Sequence, residues 1–227
     1  MIGVLLVRDV PAGRRSGRIV EVEAYLGSDD RASHARFGKT ARNGVMFGEP
    51  GRAYLYLVYG MHVCLNIVTE PLGRPAAVLI RAVEILEGVG EVRHDRARSE
   101  IASRRAALPA LQRDAIEARI QDLPATRLAS GPGLVGAAFA LDTSMTGLDL
   151  CDPASPLRLE HLGSSAPRVE IVTTPRIGVG YAGEPWASRP LRFVDAGSPS
   201  LSRPLSGDEA LQRSIAARVS GGGTGSD

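Results

Sequence analysis

One lysine, Lys39, stands against 26 arginines in this chain of 227 residues. The bias reads first as the codon usage of a GC-rich genome, because solvated arginines are the ordinary fate of surface charge. Its chemical consequence is sharper: a mechanism that needs an amine nucleophile has only Lys39 and the α-amino group to draw on. Cysteine is as scarce, with Cys64 and Cys151 alone. That excludes a small fold stapled by disulfides, and at this length apolar side chains can supply the core. Long hydrophobic runs are missing too. No stretch approaches the roughly 18 apolar residues of a membrane span, and the start meets charge at Arg8 and Asp9, too early for a secretory leader. These absences predict a cytosolic protein with free thiols. The formal net charge of +2 is too small by itself to imply a polyanionic partner, and 44% hydrophobic with 23% charged residues suits one soluble globular domain.

The N-terminal third patterns as strands. Gly17-Arg18-Ile19-Val20-Glu21-Val22-Glu23-Ala24-Tyr25-Leu26 alternates, which predicts Val20, Val22 and Ala24 on one face and Glu21, Glu23 and Tyr25 on the other. Two carboxylates and a phenol would then share a face. A polar loop follows Gly27 and ends at the turn signal Pro50-Gly51. Residues 54–58 and 62–68 flank Tyr59-Gly60-Met61 and predict a β-hairpin with Gly60 at its tip, and a further strand, 76–80, runs into Arg81. From 84 to 128 Arg, Ala, Glu and Leu dominate, which predicts two or three exposed helices. Ser130-Gly131-Pro132-Gly133 opens a small-residue helix over 134–141. Strands are expected again after Leu148, with 175–181 and 190–193 as the last ordered pieces. Residues 1–205 are expected to form one domain, and 206–227, ending in a Gly- and Ser-rich run, a flexible tail.

Six of the ten aromatic residues fall between positions 25 and 59: Tyr25, Phe37, Phe47, Tyr54, Tyr56 and Tyr59. Aromatics are ordinarily core, but Tyr59 at a hairpin tip, beside Met61, cannot easily reach the core of its own sheet and reads as a wedge or anchor. Between 31 and 52 the basic residues Arg31, Arg36, Lys39, Arg42 and Arg52 face one acid, Glu49. Basic loops beside aromatic rings suit a nucleic-acid strand, whose phosphates take the charge and whose bases stack; a solvated loop is the plain alternative. Glu23, His34, His62 and Cys64 are the candidate metal ligands, but no familiar ligand spacing is present and no metal is expected. Gly178-Val179-Gly180-Tyr181-Ala182-Gly183 fits GxGxxG literally, yet lacks a strand before it and a helix after it, so it reads as a turn and no cofactor is implied.

Taken in order, Glu21-Val22-Glu23-Ala24-Tyr25-Leu26-Gly27, Ala32-Ser33-His34-Ala35, Arg42-Asn43-Gly44-Val45-Met46-Phe47 and the run from Tyr54 to Asn66 resemble the alkyladenine (3-methyladenine) DNA glycosylase family. Leu79-Ile80-Arg81-Ala82, Ser130-Gly131-Pro132-Gly133 and Arg176-Ile177-Gly178-Val179 continue the resemblance, which covers roughly positions 17–195. It implies a mixed α/β (α+β) fold: one domain around a curved antiparallel sheet, with peripheral helices and a protruding, DNA-intercalating hairpin. It also implies Glu23 as the general base that activates a water, held with the help of Arg81 and the Ile177 backbone carbonyl. Tyr25, His34 and Tyr56 become walls of a pocket for the flipped base, and Asn66 the floor that obstructs the 2-amino group of guanine. Tyr59 fills the gap left in the duplex, with Met61, Arg36, Lys39 and Arg42 as further DNA contacts.

The implied substrate is duplex DNA carrying 3-methyladenine, 7-methylguanine, hypoxanthine or ethenoadenine, handled by a monomer in the bacterial cytosol that leaves an intact abasic strand. The sequence departs from the family at Leu134, where a lysine is usual. It also lacks a helical lead-in before Gly3, and 88–130 is longer than usual, which reads as a surface insertion. Two competing readings are a non-catalytic damaged-DNA-binding relative and a metal-dependent hydrolase using Glu23, His34 and His62.

Overall fold

A computed structural model describes residues 1–104, 107–163 and 169–207. Its centre is the longest strand. Strands β1 (Leu5–Val10) and β2 (Gly13–Tyr25) form an antiparallel pair, and β2 carries β5 (Ala77–Glu87) along its other edge. Beyond β5 lies the hairpin of β3 (Ala53–Val58) and β4 (His62–Val68); beyond β1 lies β6 (Leu157–Glu160). Two short strands complete the sheet, β7 (Ile171–Thr174) and β8 (Arg192–Asp195), which pair with each other while β8 also pairs with β2 at Glu21, Val22 and Glu23. Strand β2 is therefore covered on one edge by β1 over its first half and by β8 over its second. This is why its acidic residues lie inside the molecule, although their sequence pattern resembles a half-exposed strand.

The β2–β5 pairing is also broken three times, once between Ser16 and Gly17 and twice around Glu21. Ile19 pairs with Val83, Glu21 with Ala82 and Val22 with Ile80, so Val20 is an extra residue on β2 and Arg81 an extra residue on β5. Such bulges bend a strand and re-aim side chains. They correct the expected faces of β2. Ile19 and Val22 point into the main core with Leu6, Leu65, Ile67 and Ile80, whereas Val20 joins a second cluster with Ala82, Val172, Val194 and Leu201.

Among the described residues three helices flank the sheet: α1 (Val89–Ala102), α2 (Ala110–Asp122) and α3 (Pro132–Ala138). The segment 88–130 thus yields two helices, of which α1 is not a free surface element as expected. Val92, Asp95, Arg96 and Ala97 are buried, with Asp95 paired to Arg15 and Arg96 donating to the Leu128 carbonyl. Helix α3 begins at Pro132, as its opening motif requires, but stops at Ala138, shorter than expected, because Ala140 takes φ +47° and turns the chain away. It lies directly on β4: a Cβ on Gly136 would stand 2.0 Å from the Val63 carbonyl oxygen, and one on Gly133 would stand 3.0 Å from His62 Cβ. Only glycine permits that approach.

Residues 175–181, expected among the last ordered pieces, form a turn at 177–178 and the start of a 3-10 turn after β7, so the Gly178–Gly183 run is indeed a turn. Order also extends past the expected last piece at 193, because Leu201 and Ser202 pack back against β2. Most of the expected tail, 208–227, lies outside the described residues. No helix among the described residues is long and apolar enough to cross a membrane.

Candidate active site

The bulge at Arg81 turns its guanidinium toward two carboxylates of β2. Arg81 Nε donates to Glu21 Oε1 at 2.9 Å, and Nη1 lies 3.2 Å from Glu23 Oε1. Glu23 is 0% exposed. Its Oε1 also accepts the Ile177 backbone N–H at 2.7 Å, and its Oε2 accepts the Tyr25 hydroxyl at 2.9 Å. The expected trio of Glu21, Glu23 and Tyr25 is thus one connected group. The Ile177 atom seen at Glu23 is the amide nitrogen.

Tyr25 forms one wall of a cavity of about 80 Å³ whose other walls include His34, Met46, Tyr54, Tyr56, Asn66 and Tyr181. The rings are tightly set. His34 meets Tyr56 edge-on with centroids 4.5 Å apart, and its Nδ1 shares a hydrogen bond of 3.0 Å with the Tyr54 hydroxyl. Asn66, buried on β4, donates to the Tyr54 carbonyl at 3.4 Å. The loop that carries His34 is fastened by Asn43, whose Nδ2 donates to the carbonyls of His34 (2.9 Å) and Gly38 (3.0 Å). Behind Tyr25, Arg176 stacks 4.7 Å from the ring centroid and is itself paired to Asp30, both fully buried.

Electrostatically the walls are neutral at physiological pH. Burial, followed by the charges of Arg42 and Arg36, lowers the His34 pKa to about 4. Burial and then the Glu23 charge push the Tyr25 phenol well above its ordinary value, and burial does the same for Tyr56. The cavity opens into a cleft of about 480 Å³ bounded by Arg81, Ile177 and Val179 on one side and by Leu57, Tyr59 and Pro132 on the other. A neutral aromatic slot with a buried carboxylate behind one wall, opening beneath a hairpin, can hold a flat ring while the carboxylate handles a proton.

Residues 1–199 match the methylpurine-DNA glycosylase family. The chain belongs to that family. It is 46% identical over 209 residues to a protein of Methanocella arvoryzae provisionally named 3-methyladenine DNA glycosylase, covering 92% of this chain and 90% of that one. It is 42% identical to the DNA-3-methyladenine glycosylase of Mus musculus over 205 residues, and 42% identical to that of Homo sapiens over 204. Each match covers 88% of this chain, with 56% of the mouse and 62% of the human protein. The chain is accordingly a DNA repair glycosylase, an enzyme that hydrolyses N-glycosyl bonds.

On this glycosylase the expected DNA-contact residues divide. Tyr59 is 88% exposed at the hairpin tip, and it has φ +53° beside Gly60 at +71°. Both turn residues are left-handed, as the tight turn of a twisted hairpin demands. A tyrosine there is strained, and strain of this kind gathers at functional positions. Met61, also exposed, faces a different hollow, between the hairpin, α1 and α3. Arg42 lies over the Tyr56 ring at 5.2 Å and donates to the Leu57 carbonyl at 3.5 Å, which puts it at the pocket mouth. Arg36 stacks on Phe37 (4.6 Å) and Tyr181 (5.5 Å), while Lys39 sits 6.0 Å over Phe47, off the cleft wall.

Leu134 is half-buried, so α3 offers an apolar side chain where a lysine was expected. Glu23, His34, His62 and Cys64 do not converge: among the described residues no group of three His, Cys, Asp or Glu side chains could hold a metal ion. Sequence reasoning did not single out Tyr54 or Tyr181 as cavity walls, nor Arg192 and Ser202 around Glu21. Tyr54 was accessible to it, because it stands two residues from Tyr56 on the same strand face.

Proposed function

We propose that this glycosylase extrudes alkylated purines, foremost 3-methyladenine, from duplex DNA and hydrolyses the N-glycosidic bond with a water activated by Glu23. The observation that carries this reading is the setting of Glu23: a buried carboxylate held by Arg81, the Ile177 amide and Tyr25, whose ring forms a wall of the aromatic cavity. A base inside the helix cannot be reached by a hydrolytic water, so the nucleotide must rotate out, and the vacated stack must be filled, at a cost of a few kcal/mol. Tyr59 on its protruding hairpin fills it. Alkylation at N3 or N7 makes a purine cationic, and a cation between Tyr25, Tyr56 and neutral His34 gains about 0.5–2 kcal/mol from the ring quadrupoles. Ordinary purines lack that gain, and Asn66 at the cavity floor obstructs the 2-amino group of guanine.

Chemistry follows from charge. A cationic base is already an activated leaving group, so the pair of carboxyl groups usual in glycosidases reduces to one. Glu23 is 0% exposed, and the water meets it at Oε2, which now accepts the Tyr25 hydroxyl. As an anion Glu23 favours the oxocarbenium-like sugar, and it becomes neutral when it takes the proton of the attacking water. The only lysine lies off the cleft, and Met1 with its α-amino group lines neither cavity nor cleft, so water and no amine attacks C1′.

The test is release of free base from methylated duplex DNA, with the product identified and the strand examined before alkali. Free 3-methyladenine, an intact abasic strand, no protein–DNA adduct trapped by borohydride and full activity in EDTA are expected. Binding without release would favour a non-catalytic damage binder, loss of release in EDTA a metal hydrolase, and a trapped adduct abolished by Lys39→Ala an amine mechanism.

A further inference from the structure

Glu21 has so far been only a neighbour of Glu23. It is 0% exposed. Its Oε1 accepts from Arg81 Nε (2.9 Å), Arg192 Nε (2.8 Å) and the Ser202 hydroxyl (2.7 Å), and its Oε2 accepts the Ser202 backbone N–H (2.6 Å). Burial opposes the Glu21 charge, but Arg192 and Ser202 outweigh it and hold the carboxyl below its ordinary pKa. Arg192 is fixed in turn by Thr174 Oγ1 (3.1 Å) and the Arg203 carbonyl (2.9 Å). With Arg192 compensating Glu21, the charge of Arg81 is not consumed by Glu21 and remains available to Glu23. Arg81 is held at three corners: Nε on Glu21, Nη1 facing Glu23, and Nη2 donating to Ser202 Oγ at 3.3 Å. A planar guanidinium fixed in this way has its third edge aimed by the other two.

We propose that Ser202 is a positioning residue for hydrolysis: together with Glu21 it clamps Arg81, and through Arg81 it fixes the carboxylate of Glu23. Ser202 sits on the segment after β8, beyond the 1–199 stretch that matches the family, and it touches neither cavity nor cleft. The clamp rests on Glu23 being the hydrolytic carboxylate.

The experiment uses the full chain as wild type, Glu23→Gln, Ser202→Ala and Ser202→Thr. It measures single-turnover release of 3-methyladenine from methylated duplex, affinity for a duplex with a non-cleavable abasic analogue, and thermal melting. Ser202→Ala keeps the backbone N–H on Glu21 but removes the hydroxyl's hydrogen bond to Glu21 Oε1 and frees Arg81 Nη2. Its release constant should fall about tenfold, the usual effect of losing a hydrogen bond to a charged group, with affinity and melting near wild type. Ser202→Thr, which restores the hydroxyl, should recover the rate to within about twofold. Wild-type release by Ser202→Ala overturns the clamp. So does a parallel loss of rate, affinity and folded protein that threonine does not repair, since Ser202 would then only support the fold. If Glu23→Gln itself releases base normally, the reading of Glu23 fails first; if it is inactive while Ser202→Ala is normal, the clamp alone fails.

Discussion

His34 illustrates how much of the site is decided by surroundings that a single residue does not announce. The imidazole is flanked by Tyr54 and Tyr56 and by the guanidinium groups of Arg42 and Arg36, and its pKa falls to about 4. The folded chain therefore releases this proton at lower pH than the unfolded chain does. Between about pH 6.5 and pH 4 the unfolded state binds more protons, and folding is weakened as pH falls through that window. A ring neutral at neutral pH would not repel the cationic base proposed as substrate. NMR titration of the four histidines, with His34 assigned from the His34→Asn spectrum, should show this imidazole still neutral at pH 5.5; a midpoint near 6.5 would mean that the pocket does not suppress its charge. The residue type at 34 was legible from its place in an ordered motif. Its hydrogen-bond partner followed from strand alternation only once Tyr54 and Tyr56 were known to face the same cavity.

At the scale of elements, periodicity was a good guide wherever the backbone kept its period. The hairpin, its Gly60 tip and the opening of α3 could all be read from spacing and turn chemistry. The paired bulges on β2 and β5 could not, because each inserts one residue that the other compensates, and the hydrophobic pattern resumes as if unbroken. Yet those bulges aim Arg81. Helix α1 was misread as exposed for a related reason: its inward face carries Asp95 and Arg96, satisfied by Arg15 and the Leu128 carbonyl, where an apolar stripe would be expected.

The hairpin also makes a prediction of its own. Tyr59→Ala removes the exposed ring and leaves Arg36 and Arg42 in place, so general DNA affinity should change little while extrusion suffers. A fluorescent base analogue opposite the cleft should lose most of its unstacking signal, and lesion and undamaged duplexes should bind more alike. An unchanged signal would show that the strained tyrosine is not the wedge.

Across the whole molecule, elements far apart in sequence meet at one carboxylate. Strand β2 supplies Glu23 and Tyr25, β5 supplies Arg81, the loop after β7 supplies the Ile177 amide, and the segment after β8 secures Arg81 through Ser202. Long-range convergence of this kind leaves no local sequence signature, which is why the ion pairs of Glu21 with Arg81 and Arg192 could not be read from β2 alone. The central claim is that Glu23 accepts the water's proton, and the most direct measurement compares wild type with Glu23→Gln in single-turnover base release and in affinity for lesion-bearing duplex. Glutamine preserves the shape of the site but cannot serve as the base, so release should fall by at least about 10²-fold while affinity stays within about threefold of wild type. Near-normal release, or an equal loss of release and affinity, would contradict the account.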